Sequence, residues 1–120
     1  MTSLDTGAAA ERLAKDFLEQ QGFSFVAQNY RCRQGEIDLI FKQRQQWLFV
    51  EVKNRKNTRF GTPAEWVTKT KQRKIILSTQ HFIAERAVPS SAQIRFDVIG
   101  IINLEASSIE WIQNAFLANS

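Results

Sequence analysis

Two short apolar runs in this 120-residue chain carry acid where a strand would be expected to carry Val or Ile. They are Gly35-Glu36-Ile37-Asp38-Leu39-Ile40 and Phe49-Val50-Glu51-Val52-Lys53. A carboxylate buried in a sheet is costly unless it is paired, hydrogen-bonded or bound to a metal. If the runs form an antiparallel hairpin turning at Arg44-Gln45, Asp38 stands opposite Glu51 and Glu36 opposite Lys53. Opposed Cβ atoms lie about 5 Å apart, so two carboxylates could share one divalent cation. Alternation then puts Glu36, Asp38, Glu51 and Lys53 on one face. It puts Ile37, Leu39, Phe41, Leu48, Val50 and Val52 on the other. The expectation is one face packed as core and one charged cleft that becomes apolar toward Ile40 and Phe49. Arg-Gln is not a favoured two-residue hairpin loop, and a longer loop would shift the register.

With 43% hydrophobic residues and nine phenylalanines, the chain can build one real core. Its length argues for a single domain over residues 1–120. No apolar run approaches the roughly 20 residues that a membrane span needs. The segment from Met1 to Gly22 is charged and amphipathic and lacks a signal-peptide core. Cys32 is the one cysteine, so no disulfide framework and no cysteine-based zinc site is expected. A cytoplasmic location fits. The net charge of +4 hides an asymmetry. Residues 31–74 hold twelve of the sixteen Lys and Arg but four of the twelve acids, three of them Glu36, Asp38 and Glu51. Positive charge thus surrounds the carboxylates, and such a field attracts a polyanion, most commonly nucleic acid.

Helical spacing of Ala10, Leu13, Ala14, Phe17 and Leu18 predicts a helix from about Asp5 to Gln21, stopped at Gly22. A strand is expected at 23–30 and the hairpin at 36–53. Residues 54–61 read as a basic loop. Thr62-Pro63-Ala64-Glu65 has the pattern of a helix start, with Thr as N-cap, Pro first and Glu in the capping-box position. That second helix is expected to run to about Arg86, burying Ile75, Ile76, Thr79, Phe82 and Ile83. Val88–Ser91 is a turn. Strands are expected at 94–102 and, shorter, at 108–113.

Asp38 followed by Glu51-Val52-Lys53 resembles the D…(D/E)xK signature of the restriction-endonuclease-like, or PD-(D/E)xK, nucleases. Ile37 stands where that superfamily has its proline. More closely, the chain is similar to the YraN-like family of small, endonuclease-like bacterial proteins. The matching residues are Gly7…Glu11-x-x-Ala14, Asn29-Tyr30-Arg31, Gly35-Glu36-Ile37-Asp38-Leu39-Ile40 and Phe49-Val50-Glu51-Val52-Lys53-x-Arg55. Lys69…Lys71-Gln72 and Arg95-Phe96-Asp97-Val98 continue the match, which covers about residues 5–103 and leaves 104–120 as a C-terminal strand and tail. The resemblance implies an α/β fold with a restriction-endonuclease-like core, in αβββαβ order, with a central mixed sheet flanked by helices. It also implies kinship with archaeal Holliday-junction resolvases, and hence a possible homodimer.

What the resemblance implies for the site is specific. Asp38 and Glu51 would bind Mg²⁺ or Mn²⁺, together with the backbone carbonyl of Val52. Lys53 would orient or activate the attacking water, or be the salt-bridge partner of Glu36; the two are compatible. Glu11 would hold the metal through water, or form an exposed helix pair with Lys15. Glu36 is open in the same way. Arg55, Lys56 and Arg59, with Lys69, Lys71, Gln72, Arg73 and Lys74, are candidates to contact nucleic acid, and Lys69 and Gln72 could line the cleft. Trp66 is either core or a stacking surface for a base. His81 and Cys32 read as structural, and Arg95 and Asp97 as ion-paired with neighbouring elements. The implied activity is metal-dependent hydrolysis of DNA phosphodiesters, in branched or structured DNA, usually leaving a 5′-phosphate. The alternatives are a nucleic-acid-binding module with this fold and little or no turnover, and a metal-binding interaction protein that ignores nucleic acid.

Overall fold

The first helix ends where its sequence says it must. Gly22 takes φ +93°, its N–H bonds to Glu19 O, and the Phe23 N–H reaches Leu18 O. This is a Schellman cap, in which glycine adopts the left-handed conformation at no steric cost. The accompanying apolar contact is present too, since Leu18 and Phe23 share one core cluster. A computed structural model describes residues 3–57, 59 and 61–118 of the chain, with only the backbone described at 3–5 and 64. Positions 58 and 60 of the basic loop lie outside the described residues.

The elements are α1 (Ser3–Gln20), β1 (Ser24–Cys32), β2 (Gly35–Gln43), β3 (Gln46–Arg55), α2 (Lys69–Glu85), β4 (Gln93–Ile102) and β5 (Glu110–Phe116). The strands form one mixed sheet in the order β1-β2-β3-β4-β5. Only β3 and β4 pair in parallel; β1–β2, β2–β3 and β4–β5 are antiparallel. α2 is the crossover that a parallel pair requires. Among the described residues no helix is long and apolar enough to cross a membrane. The αβββαβ order with a helix-flanked mixed sheet is the expected fold class, with β5 added at the edge.

The hairpin register is the expected one from Gln43–Gln46 to Leu39–Val50, but the ladder stops there, so the expected Asp38–Glu51 and Glu36–Lys53 pairs do not form. Leu39 pairs with Val50, Ile40 with Phe49, Phe41 with Leu48 and Gln43 with Gln46. The two-residue loop survives its unfavourable sequence because Arg44 takes φ +57°. A slip by one residue would turn every apolar side chain in the pair to the wrong face, a far larger penalty than one strained torsion.

Several expectations are corrected. The first is that one sheet face is core and the other a cleft. Both faces are buried: Ile40, Phe49 and Phe96 pack with Ile75, Ile76 and Phe82 of α2, while Leu39, Phe41, Leu48 and Val50 pack with Ala10, Ala14 and Leu18 of α1. Helices on both faces follow from the parallel crossover. Ile37 also changes sides. It packs with Ile40, not with Leu39 and Phe41, so strict alternation slips once between Ile37 and Ile40, around Asp38.

The second correction concerns α2, which begins at Lys69, not beside Thr62. Pro63–Trp66 makes a separate 3₁₀ turn, in which the Glu65 carboxylate accepts from the Thr62 N–H at 3.2 Å. Val67 and Thr68 are then extended, and Thr68 Oγ1 caps the true helix by accepting from the Lys71 N–H at 3.2 Å. The 3₁₀ turn sits directly on Gly100 of β4, where a Cβ would strike Pro63 and press on Trp66. The last strand lies slightly later than expected. Ala106–Ser108 forms a 3₁₀ turn, and Ser108 Oγ accepts from the Ile102 N–H at 2.8 Å, tying that turn to the end of β4.

Candidate active site

β2 and β3 remain paired as far as Leu39 and Val50. At the next step the Asp38 side chain replaces the ladder, and its Oδ2 accepts from the Val52 N–H at 2.8 Å. A carboxylate that takes a main-chain donor from the neighbouring strand is fixed in position and wedges the strands apart. Glu51 lies at this opening, 3% exposed, and its Oε2 is buried with no hydrogen bond. Lys71 Nζ, from the first turn of α2, approaches that oxygen to 3.4 Å. Burial pushes the Glu51 pKa up, and a hydrogen bond to Asp38 and the charge of Asp38 push it further; Lys71 and, more weakly, Lys53 oppose the rise.

Glu11 arrives from α1, and its carboxylate gathers with those of Glu36 and Asp38, with one oxygen of each within 4.8 Å of the others. Its pKa is raised to about 7, first by burial and then by the Asp38 charge, against a lowering hydrogen bond from the Asn29 side chain. The alternative partner for Glu11 is engaged elsewhere, because Lys15 Nζ lies over the Phe25 ring at 4.3 Å. Glu11 therefore belongs to the acidic group. Glu36 is bonded to Arg31 Nε at 2.8 Å, not to Lys53. β1 places Arg31 directly opposite Glu36, whereas β3 has already diverged from β2 at that level. Among the described residues Lys53 forms no ion pair. It lines an open cleft of about 300 Å³ with Thr6, Glu11, Asp38, Glu51, Val52, Arg55 and Lys71.

The donor set suits a hard divalent cation, which takes carboxylate, carbonyl and water oxygens. Two features of this structure support the fit. One is the buried Glu51 oxygen without a hydrogen bond. The other is a set of carboxylates crowded enough to resist ionisation, which an added positive charge would relieve. Asp38 is common to both groupings, the Asp38–Glu51 pair and the Glu11–Glu36–Asp38 trio.

The other candidates divide. Arg55 lines the cleft and its guanidinium lies 5.3 Å from the centroid of the Trp66 ring. Trp66 itself is buried, so it serves as a platform for Arg55 and presents no open ring to a base. Lys56, Arg59, Lys69, Arg73 and Lys74 are exposed. The Gln72 amide donates to Val67 O at 3.1 Å and so closes the turn before α2; neither it nor Lys69 lines the cleft. His81 is structural, its Nδ1 2.6 Å from the Tyr30 hydroxyl. Arg95 and Asp97 pair with each other, through two bonds of 2.9 Å. Two contributions escape sequence reasoning: Lys71 as the counterion of Glu51, and Asn29 as the support of Glu11. Asn29 does carry a faint signal, because its φ of +52° is one that Asn tolerates better than most residues.

Comparison with known proteins matches most of the chain. The description "Uncharacterised protein family UPF0102" matches residues 10–101. A UPF0102 protein of Saccharophagus degradans is 45% identical over 115 residues, covering 96% of this chain and 95% of the relative. One from Vibrio parahaemolyticus is 47% identical over 109 residues, covering 91% and 89%. One from Nitrosococcus oceani is 38% identical over 120 residues, covering 99% and 97%. The matched segment runs from α1 to β4 and so includes Glu11, Asp38, Glu51, Lys53 and Lys71, and the chain belongs to the UPF0102 family, the YraN-like proteins.

Proposed function

We propose that this protein is a metal-dependent endonuclease that hydrolyses phosphodiester bonds in DNA. One observation carries the reading. Asp38 and Glu51 meet where β2 and β3 part, and Glu51 keeps a buried oxygen with no hydrogen bond, faced by Lys71. Asp38 and Glu51 would hold Mg²⁺ or Mn²⁺, with the Val52 carbonyl beside them and Glu11 in reserve through water. Such an ion, when bound, supplies Lewis-acid charge at the phosphoryl group and lowers the pKa of water.

The remaining chemistry falls to this chain's own side chains. Lys53, in the cleft and in no ion pair among the described residues, orients the attacking water and offsets charge growing on the phosphate. Arg55, braced on Trp66, binds a neighbouring phosphate. The exposed cations of residues 55–59 and of the first turns of α2 would follow the backbone without reading bases.

The test is a panel of labelled duplex, flap, junction and single-stranded DNAs incubated with Mg²⁺ or Mn²⁺. Wild type should cleave at least one of them, and Lys53→Ala should lose on the order of 10²–10³ in rate with its circular dichroism unchanged. Equal cleavage by Lys53→Ala would place the activity elsewhere. One observation favours the alternative, a nucleic-acid binder without turnover: Lys71 already neutralises Glu51 with no metal needed. That reading prevails if wild type binds DNA yet cleaves nothing in the panel.

A further inference from the structure

Among the described residues two buried carboxylates are ion-paired, and in opposite styles. Asp97 is fully buried and saturated: Arg95 binds both its oxygens at 2.9 Å, Trp111 Nε1 donates at 2.8 Å and the Asn114 N–H at 2.9 Å. Such a pair is built to stay. Among the described residues Glu51 has one ion-pair partner, Lys71 at 3.4 Å, and the oxygen facing it makes no hydrogen bond. The Lys71 side chain is 36% exposed and lines the open cleft. Its backbone is anchored by the Thr68 cap, while its flexible stem lets Nζ travel.

We propose that Lys71 is an exchangeable counterion, which neutralises Glu51 until a divalent cation binds and then turns outward to a phosphate oxygen of the nucleic acid. The inference rests on the reading of Asp38 and Glu51 as cation ligands. An ammonium and a divalent cation repel each other, and a buried oxygen cannot hold both at contact distance. The ammonium can leave because the Lys71 side chain lines an open cleft and is partly exposed. Its release would add a positive charge to the cleft that already holds Lys53 and Arg55, at the moment a phosphate must be gripped. Metal loading and substrate binding would thereby be coupled through one side chain.

Lys71→Gln tests both halves. Removing one positive charge favours a dication twice as strongly as a proton at the same oxygen, so tighter metal binding outlasts the accompanying rise in proton affinity. Calorimetric titration of Mn²⁺ at fixed pH should give Lys71→Gln roughly fivefold tighter binding than wild type, and Lys71→Arg no tighter binding. The second readout is duplex DNA affinity against salt. In saturating Ca²⁺ the slope should be shallower for Lys71→Gln by about 0.9, one phosphate contact. In chelator the slopes should match, because there Lys71 is held by Glu51. Mn²⁺ binding no tighter than wild type overturns the counterion, and equal slopes in Ca²⁺ overturn the phosphate contact. Asp38→Ala, titrated beside them, separates the two failures: if wild type binds Mn²⁺ no better than Asp38→Ala, the ligand reading itself is wrong and the proposal falls with it.

Discussion

Replacing Glu51 by Gln should raise the melting temperature of the metal-free protein while abolishing its Mn²⁺ binding. Glu51 is buried beside Asp38 with an oxygen that makes no hydrogen bond, an arrangement that costs stability. A Gln amide can donate to the Asp38 carboxylate and removes the like charge. A gain on the order of 1 kcal/mol is expected by thermal or urea denaturation in chelator; a loss of stability would mean that Lys71 outweighs the repulsion. The same crowding has a pH signature. Glu11 has its pKa raised to about 7 by burial and by Asp38, and Glu51 is raised as well. A carboxylate whose folded pKa exceeds its unfolded value contributes stability that is full below the unfolded value and lost as pH rises through the folded one. Chelated protein should therefore melt at progressively lower temperature from about pH 5 to pH 8. Saturating Mn²⁺ should flatten or reverse the trend, because it favours the ionised carboxylates. A chelated profile that rises across this range would contradict both causes of the Glu11 shift.

At the scale of elements, the 3₁₀ turn at Pro63–Trp66 links the sheet to the cleft. It lies against Gly100 of β4 and carries Trp66, on which Arg55 rests. Gly100→Ala would force Pro63 off the strand. Overpacking of this kind costs about 1–3 kcal/mol, to be read from urea denaturation, and DNA affinity should fall with it as Arg55 loses its platform. Unchanged stability would mean that the turn relocates freely. The extra extended residues between this turn and α2 have a consequence for the site. They let Thr68, not Thr62, cap the long helix, and that choice brings Lys71 to Glu51. A helix starting at Pro63 and continuing unbroken would carry Lys71 near its third turn, away from its own cap.

Over the whole molecule, the basic surplus of residues 31–74 should make nucleic-acid binding depend on salt and little on sequence. Each phosphate neutralised contributes about −0.9 to the slope of log K against log salt on duplex DNA. Reversing charge at Arg55, Lys56 and Arg59 together should weaken binding and reduce that slope by more than two units. No measurable affinity even at low salt would instead point to an interaction protein that ignores nucleic acid. Much of this molecule is written locally. The hairpin register follows from period-two patterning and loop length, so Asp38 and Glu51 can be brought together from residue numbers alone, and Gly22 stops α1 through its own backbone freedom. The charge asymmetry is equally plain in the chain. Local pattern could not say that Ile37 would turn toward α2, because that depends on Asp38 wedging the strands apart. Nor could it choose between Thr62 and Thr68 as the cap of α2, since both are good caps and packing on Gly100 decides. Glu11, Asn29 and Lys71 come from three different elements, and each had an equally good local use on its own helix or strand. Their meeting around Asp38 and Glu51 was decided only by the tertiary structure, because contacts between distant segments depend on how two helices settle on opposite faces of one sheet.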